Sequence, residues 1–146
     1  MALGFSILVY VAPSFAVLGG DVSSVRADQA HINASLHLTQ AQNYTIHELR
    51  SPSGMVVREY ASPGGKIFAV AWQSPTPPDL KQLLGSHFDE FQRAAAEAQG
   101  PRAGRGPLII QHPGLVVELG GHMRAFVGRA YLPDQLPSDV RVEEIR

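Results

Sequence analysis

The sequence predicts an α+β domain, with an antiparallel sheet of about five to six strands and two short helices packed on one face. Segments of strand composition, separated by turns rich in proline and glycine, occupy residues 44–72. Two amphipathic helical segments follow over residues 76–100, and more strand-like segments occupy residues 108–132. Runs of strands, then helices, then strands are typical of an antiparallel α+β fold rather than of a parallel one.

The N-terminal residues are typical of an export signal. The stretch from Leu3 to Ala12 is apolar and uncharged, and it is shorter than the about 20 residues that span a bilayer. Ser14 and Ala16 then match the small-x-small pattern of a signal cleavage site, although no Lys or Arg precedes the apolar run. We therefore expect residues 1–16 to be a signal peptide. The alternative is a buried N-terminal strand or helix.

The expected signal sets the location of the mature chain. We expect it to be exported, periplasmic or secreted, with no stable membrane span after cleavage. The chain contains no cysteine, which excludes a lipoprotein anchor, a disulfide and any thiol chemistry. Residues 17–43 are small and polar without a sustained apolar period, so we expect a flexible N-terminal arm. Residues 44–146 are then a single folded α+β domain.

The first strands form a meander. Residues 44–49 have strand composition, and the turn Ser51–Gly54 leads to a second strand over residues 55–61. After the turn Ser62–Gly65, residues 66–72 form a third strand. This third strand is apolar on both faces, which predicts a central strand that is covered on both sides.

Two helices come next. Thr76 is expected to cap the first, which carries an apolar stripe of leucines and ends at Gly85. Ser86 is expected to cap the second, which ends at Gly100 and Pro101. The apolar residues of both helices lie at helical spacing, so we expect both helices to pack on the same face of the sheet.

Three further strands and a tail complete the prediction. The strands cover residues 108–111, 115–119 and 123–132, and Gly120–Gly121 provide the break before the last one. The tail over residues 133–146 is mostly polar and has enough apolar residues for a short edge strand.

Composition and motifs exclude several function classes. The formal net charge of −1 gives no reason to expect nucleic acid or an anionic membrane as a partner. No two histidines have the spacing of a zincin helix, and no Gly-x-Ser-x-Gly nucleophile elbow occurs. We therefore expect no catalytic residues, no metal ligands and no cofactor.

The most suggestive polar patch is a predicted concavity on the sheet. His122 and Arg124 would share one strand face, opposite to Met123, and Gly121 would allow close backbone approach. The predicted ligand- or partner-binding residues are Arg58, Glu59, Gly121, His122, Arg124 and Tyr131. The alternative is a hairpin with a solvated polar face.

Two groups of short motifs carry a family resemblance. The first runs from Ser53 to Tyr60 and continues through Val70–Gln73, Pro78–Leu80 and Leu83–Gly85; the second comprises Gly114–Glu118, Gly120–Phe126 and Gly128–Pro133. In these residues the chain resembles the bacterial family of domain of unknown function 2844. The resemblance implies a short, exported, envelope-associated protein, and it implies no activity and no catalytic residues.

Three functional hypotheses follow. The preferred one is a non-enzymatic exported domain that binds a small ligand or an envelope protein through its sheet. The second is an envelope enzyme with a dispersed site, in which His122 or His47 acts with a carboxylate such as Glu48, Glu59 or Glu118. The third is an assembly subunit that pairs through an edge strand or the N-terminal arm.

Overall fold

The computed structural model describes residues 18–98 and 106–146. They form a seven-stranded antiparallel sheet with the strand order β1-β2-β3-β4-β7-β6-β5, and three helices. The strands are β1 Ser35–Gln40, β2 Thr45–Arg50, β3 Val56–Ala61, β4 Ile67–Ser74, β5 Leu108–His112, β6 Leu115–His122 and β7 Ala125–Tyr131. The helices are α1 Val25–His31, α2 Leu80–Leu84 and α3 Phe88–Glu97. The α+β class is confirmed, and the strand count is seven rather than five to six.

Two meanders build the sheet. Strands β1 to β4 lie side by side in chain order, and so do β5 to β7, while the pairing of β4 with β7 joins the two halves. Strand β4 therefore lies at the centre, and every residue of it except Gln73 is buried. The prediction of a central strand covered on both sides is confirmed, because its apolar residues face a core on each side.

The two faces of the sheet are covered differently. On the helical face, Leu84 and Phe91 pack with Val57, Val70 and other core residues, so the two predicted helices share one face. On the opposite face, which we call the tail face, Tyr60 and Phe68 pack under the C-terminal segment. That segment forms 3-10 turns rather than the edge strand considered for it, and its Ile145 is fully buried.

The N-terminal arm is a correction to the expectation for residues 17–43. Leu18 and Val25 are buried in the helical-face core, and residues 22–40 contain a 3-10 turn, α1 and β1. The backbone N–H of Gly19 donates to the Ile67 carbonyl at 2.8 Å. The apolar pattern is sparse because α1 is short and β1 is an exposed edge strand, so few residues need to be apolar. Residues 1–16, the expected signal peptide, lie outside the described residues.

Helix boundaries also differ from the expectation. Asp79, not Thr76, caps α2, because its Oδ1 accepts the Gln82 N–H at 3.1 Å. Ser86 lies inside a 3-10 turn that precedes α3, and no side chain caps that helix. Gly85 does end α2, as predicted, with a φ of +53° that favours glycine.

The β6–β7 hairpin turns later than expected. Gly120 and Gly121 lie inside β6, and the turn is formed by Met123 and Arg124, where Arg124 has a φ of +67°. Gly121 has a φ of +95°, and a Cβ there would lie 2.0 Å from the Ala125 carbonyl oxygen. The glycine is therefore needed for close approach of the two strands rather than for the turn itself.

Candidate functional site

The predicted site residues are not brought together. Arg58 and Tyr131 lie on the tail face, whereas Glu59 points to the helical face and is buried. His122 ends β6 and Arg124 lies in the turn, both exposed, so the shared strand face expected for them is wrong. The Nδ1 atom of His122 contacts only the neighbouring Met123 carbonyl oxygen, at 3.0 Å, among the described hydrogen bonds. Among the cavities of the described residues, two are lined by charged side chains that the sheet or the core holds in place, one on each face.

The first cavity lies on the part of the tail face that the C-terminal segment leaves open. It has a volume of about 360 Å³ and crosses β3, β4, β7 and β6. We call it the arginine cleft, because three arginines and one glutamate line it. Its other lining residues include Gln73, Val127 and Gly128.

One transverse row of the sheet positions the cleft's charges. Strand register places Glu48, Arg58, Ala71, Arg129 and Glu118 side by side on five neighbouring strands. Each arginine is bound by the glutamate on its outer side: Arg58 Nε lies 2.6 Å from Glu48 Oε2, and Arg129 Nε lies 2.8 Å from Glu118 Oε2. The small Ala71 separates them, so both guanidinium groups border the same opening.

The same arginines hold the C-terminal segment. Arg129 Nη1 donates to the carbonyls of Val142 and Ile145 at 2.8 and 3.2 Å, and Arg58 Nη1 donates to the Arg146 carbonyl at 3.1 Å. A guanidinium carries more N–H donors than these bonds use. The two side chains are therefore fixed in place while still able to donate into the cleft.

Electrostatics keep the Glu48 carboxyl ionised. Burial alone would raise the pKa of the Glu48 carboxyl, but hydrogen bonds from Arg50 and Arg58, together with their charges, hold that pKa below its usual value. Because Glu48 stays negative, Arg58 keeps an oriented ion pair rather than a mobile side chain.

Gly128 forms part of the cleft floor and has a structural reason to be glycine. It lies opposite Trp72 in the β4–β7 pair, and a Cβ there would lie 2.4 Å from Cζ2 of the indole. The Trp72 ring therefore occupies the space of the missing side chain, which is why this tryptophan is part of the core, 3% exposed.

The second cavity lies on the helical face, between α1, α2 and the β2–β3 strands, and has a volume of about 230 Å³. We call it the acid pocket, because Asp28 and Glu59 line it at 4% and 2% exposure. The side chains of the two residues are hydrogen-bonded to each other. His31 and Asp79, which are exposed, mark its mouth.

A proton is held in the acid pocket. Burial, the negative charge of Asp28 and the hydrogen bond between the two side chains raise the pKa of Glu59 to about 9. At neutral pH Glu59 is therefore protonated. The Glu59 Oε2 atom has no hydrogen-bond partner among the described residues.

His47 is a half-buried histidine on the strand next to Glu59. It lies directly opposite Glu59 in the β2–β3 register, and burial lowers its pKa. Its Nδ1 is buried without a hydrogen-bond partner among the residues described. The structure therefore places an imidazole on the strand beside a carboxyl, but its Nδ1 does not make the hydrogen bond to a carboxylate that the enzyme hypothesis requires.

Sequence reasoning missed Arg129, and it missed Asp28 altogether. Arg129 lies two residues after Val127 in a predicted strand, so strand alternation places both side chains on the same side of the sheet. The sequence does not predict the β4–β7 pairing, which places Arg129 near Arg58. Asp28 lies in the segment for which the sequence predicts a flexible arm. Glu118, which the enzyme hypothesis pairs with a histidine, is paired with Arg129 in the structure.

Residues 18–98 and 106–146 contain neither a cluster of metal ligands nor a membrane-spanning helix. No group of three or more histidine or acidic side chains there could hold a metal ion. No helix within them is long and apolar enough to cross a membrane.

Comparison with known proteins identifies one family. A family model described as "Protein of unknown function (DUF2844)" matches residues 14–145, nearly the whole chain. No curated protein and no solved structure shows significant similarity to the chain.

Proposed function

Because the chain belongs to the DUF2844 family, whose description names no activity, we propose its function from its own residues: it is an exported, non-enzymatic domain that binds a ligand in the arginine cleft. The observation that carries this proposal is the fixed pair Arg58 and Arg129 at the edge of an open cavity. The N-terminal sequence, with its short apolar run and small-x-small site, supports the export part.

The lining of the cleft indicates the chemistry of its ligand. Counting Glu48, which pairs with Arg58 from outside the lining, two glutamates face the three arginines and leave an excess of one positive charge. Arginine suits carboxylates because its planar group donates two parallel hydrogen bonds. Val127 lines the cleft, is 41% exposed and adds an apolar contact. We propose a ligand with a carboxylate beside a compact apolar body. The volume of about 360 Å³ is at the small end of ligand sites.

Benzoate is a suitable probe, and benzamide is its neutral counterpart. We expect benzoate to shift the NMR signals of Gln73 and Val127, more strongly than benzamide does, and to bind more weakly as salt rises. Gln73→Glu places a negative charge in the cleft without touching an ion pair and should weaken benzoate binding about tenfold. Arg93→Gln, an exposed charge change on α3, is the matched control and should have no effect.

The site predicted from sequence around His122 and Arg124 is the competing binding site. If the double change His122→Ala and Arg124→Ala abolishes binding while Gln73→Glu does not, the ligand binds at the β6–β7 turn. Equal affinity for benzoate and benzamide would mean that the arginines do not recognise the charge, and the proposal would be abandoned.

The assembly hypothesis keeps one supporting observation. Strand β1 is an edge strand with an exposed burial pattern, and its Leu38 is 57% exposed. Such an edge can pair with another chain. A rise in mass with concentration in light scattering, removed by Leu38→Lys, would favour an assembly subunit over a binding domain.

A further inference from the structure

The sheet ends at β5, a strand without the side chains or irregularities that usually block pairing with another chain. Strand β5 pairs with β6 on one side only, because it is the last strand in the sheet order. Its residues, Leu108–His112, include no lysine, arginine, acidic residue or proline, and its register with β6 shows no bulge. Natural proteins protect exposed edges with such features, because a free edge presents a row of backbone N–H and C=O groups. The β5 edge is therefore open to a further strand.

A groove on the helical face runs beside this edge. It lies between α3 and β5 and has a volume of about 600 Å³. Ala94 and Ala98 line it from the helix, and residues 109–112 line it from the strand. On the tail face, Ile109 lies opposite Glu118 in the register and is 52% exposed. A strand added to β5 would therefore cover apolar surface on both faces of the sheet.

The charges of α3 favour a second copy of this chain as the partner. Arg93 and Glu97 are exposed and line the continuation of the groove near His112, and neither forms an ion pair with another residue that the structure describes. If two copies of β5 pair antiparallel about a two-fold axis, the two copies of α3 also run antiparallel beside that axis. Arg93 of each copy then faces Glu97 of the other, because the part of α3 that contains them lies next to β5. The helix therefore presents complementary charges to its own copy.

We propose that two copies of this chain pair through β5 and form a closed two-fold dimer with one continuous sheet. Antiparallel pairing centred on Ile110 places Ile109 opposite Gln111 of the other copy, so no like charges meet along the two strands. A two-fold interface uses the same surface on both copies, so the assembly closes at two chains. None of the β5 residues lines the arginine cleft, and the dimer does not depend on the function proposed for that cleft.

Molecular mass measured against concentration tests the dimer on the full chain. We expect light scattering to show a rise from the mass of one chain to that of two, and no higher. Ile109→Lys places a charge on the exposed β5 edge and should weaken the dimer at least about tenfold, while Leu38→Lys, the matched change on the β1 edge, should leave it unchanged. The mass of a single chain at up to about 1 mM, or a mass that exceeds two chains, would refute the closed dimer. Loss of the dimer in Leu38→Lys but not in Ile109→Lys would also overturn the proposal, because the interface would then be at β1.

A charge exchange on α3 tests the two-fold arrangement. Arg93→Glu would bring two negative charges together across the interface, and Glu97→Arg would bring two positive charges together, so each should weaken the dimer about fivefold. The double variant restores opposite charges and should return the dimer affinity to within about twofold of the unsubstituted value. Both positions are exposed, so the variants should fold. A double variant that dimerises no better than the single ones would show that the helices do not meet as proposed, and the two-fold dimer would be abandoned.

Discussion

The protonated Glu59 makes the stability of this fold fall with rising pH. The pKa of Glu59 is about 9 in the folded protein, against an ordinary value of 4.5 in the unfolded chain. Between these values the folded state holds a proton that the unfolded state has lost, so the free energy of unfolding decreases as pH rises. The stabilisation is complete below about pH 4.5 and is lost as the pH approaches 9.

The magnitude is measurable in a window where other shifted groups do not titrate. The pKa of His47 is lowered from 6.5, so its contribution is complete by about pH 7, and that of Tyr60 is raised above 10.0. At about 1.4 kcal/mol per pH unit, the free energy of unfolding should fall by about 2 kcal/mol between pH 7 and about pH 8.5. The groups that face Glu59 across the pocket are Asp28, His31, His47 and Asp79.

Glu59→Gln is the decisive variant. Its amide still donates to Asp28 but cannot ionise, so the slope of unfolding free energy against pH should disappear. Urea denaturation at three pH values within the window gives both slopes, and Glu97→Gln, an exposed carboxylate change, should keep the unsubstituted slope. A flat profile for the unsubstituted chain, or the same slope in Glu59→Gln, would show that Glu59 is ionised and the reasoning wrong.

Three further predictions concern stability by denaturation. Asp79→Ala should lower the free energy of unfolding by about 1 kcal/mol, because it removes the α2 cap, whereas Thr76→Ala should have little effect. A larger effect of Thr76→Ala would mean that Thr76 caps the helix, as the sequence predicts. Gly128→Ala should cost more than about 2 kcal/mol because its Cβ meets the buried indole, while Gly106→Ala, with no atom within 4 Å, should be neutral; equal effects would contradict the packing. Ile145→Ala should lower the free energy of unfolding by about 2–5 kcal/mol and speed proteolysis of the C-terminal segment, because the Ile145 side chain is fully buried. Unchanged stability and proteolysis would show that this segment does not cover the sheet.

The hydropathy pattern within each segment predicted most of the strands, but it did not predict which strands pair in the sheet. The central position of β4 followed from a run that is apolar on both faces, because such a run must be covered twice. The turns before β3 and β4 followed from proline and glycine. The seventh strand did not, since β1 is exposed on almost every residue and resembles a polar linker.

Both candidate sites depend on long-range pairings that composition does not reveal. Arg58 and Arg129 come together only because β7, the last strand of the second meander, pairs with β4, the last strand of the first. Asp28 meets Glu59 only because α1 folds back on the sheet. In each case the residues are unremarkable alone, and the physical signal lies in their being placed together in a partly buried setting.

The order of the strands also has a consequence for how the chain folds. All pairings within each meander join segments that are close in sequence, whereas β4 with β7 joins segments separated by two helices and two strands. Closing that long loop costs entropy before its contacts form, so we expect the two halves to form first and their junction to limit the folding rate. The arginine cleft crosses that junction, so its binding surface should be the last part of the protein to form.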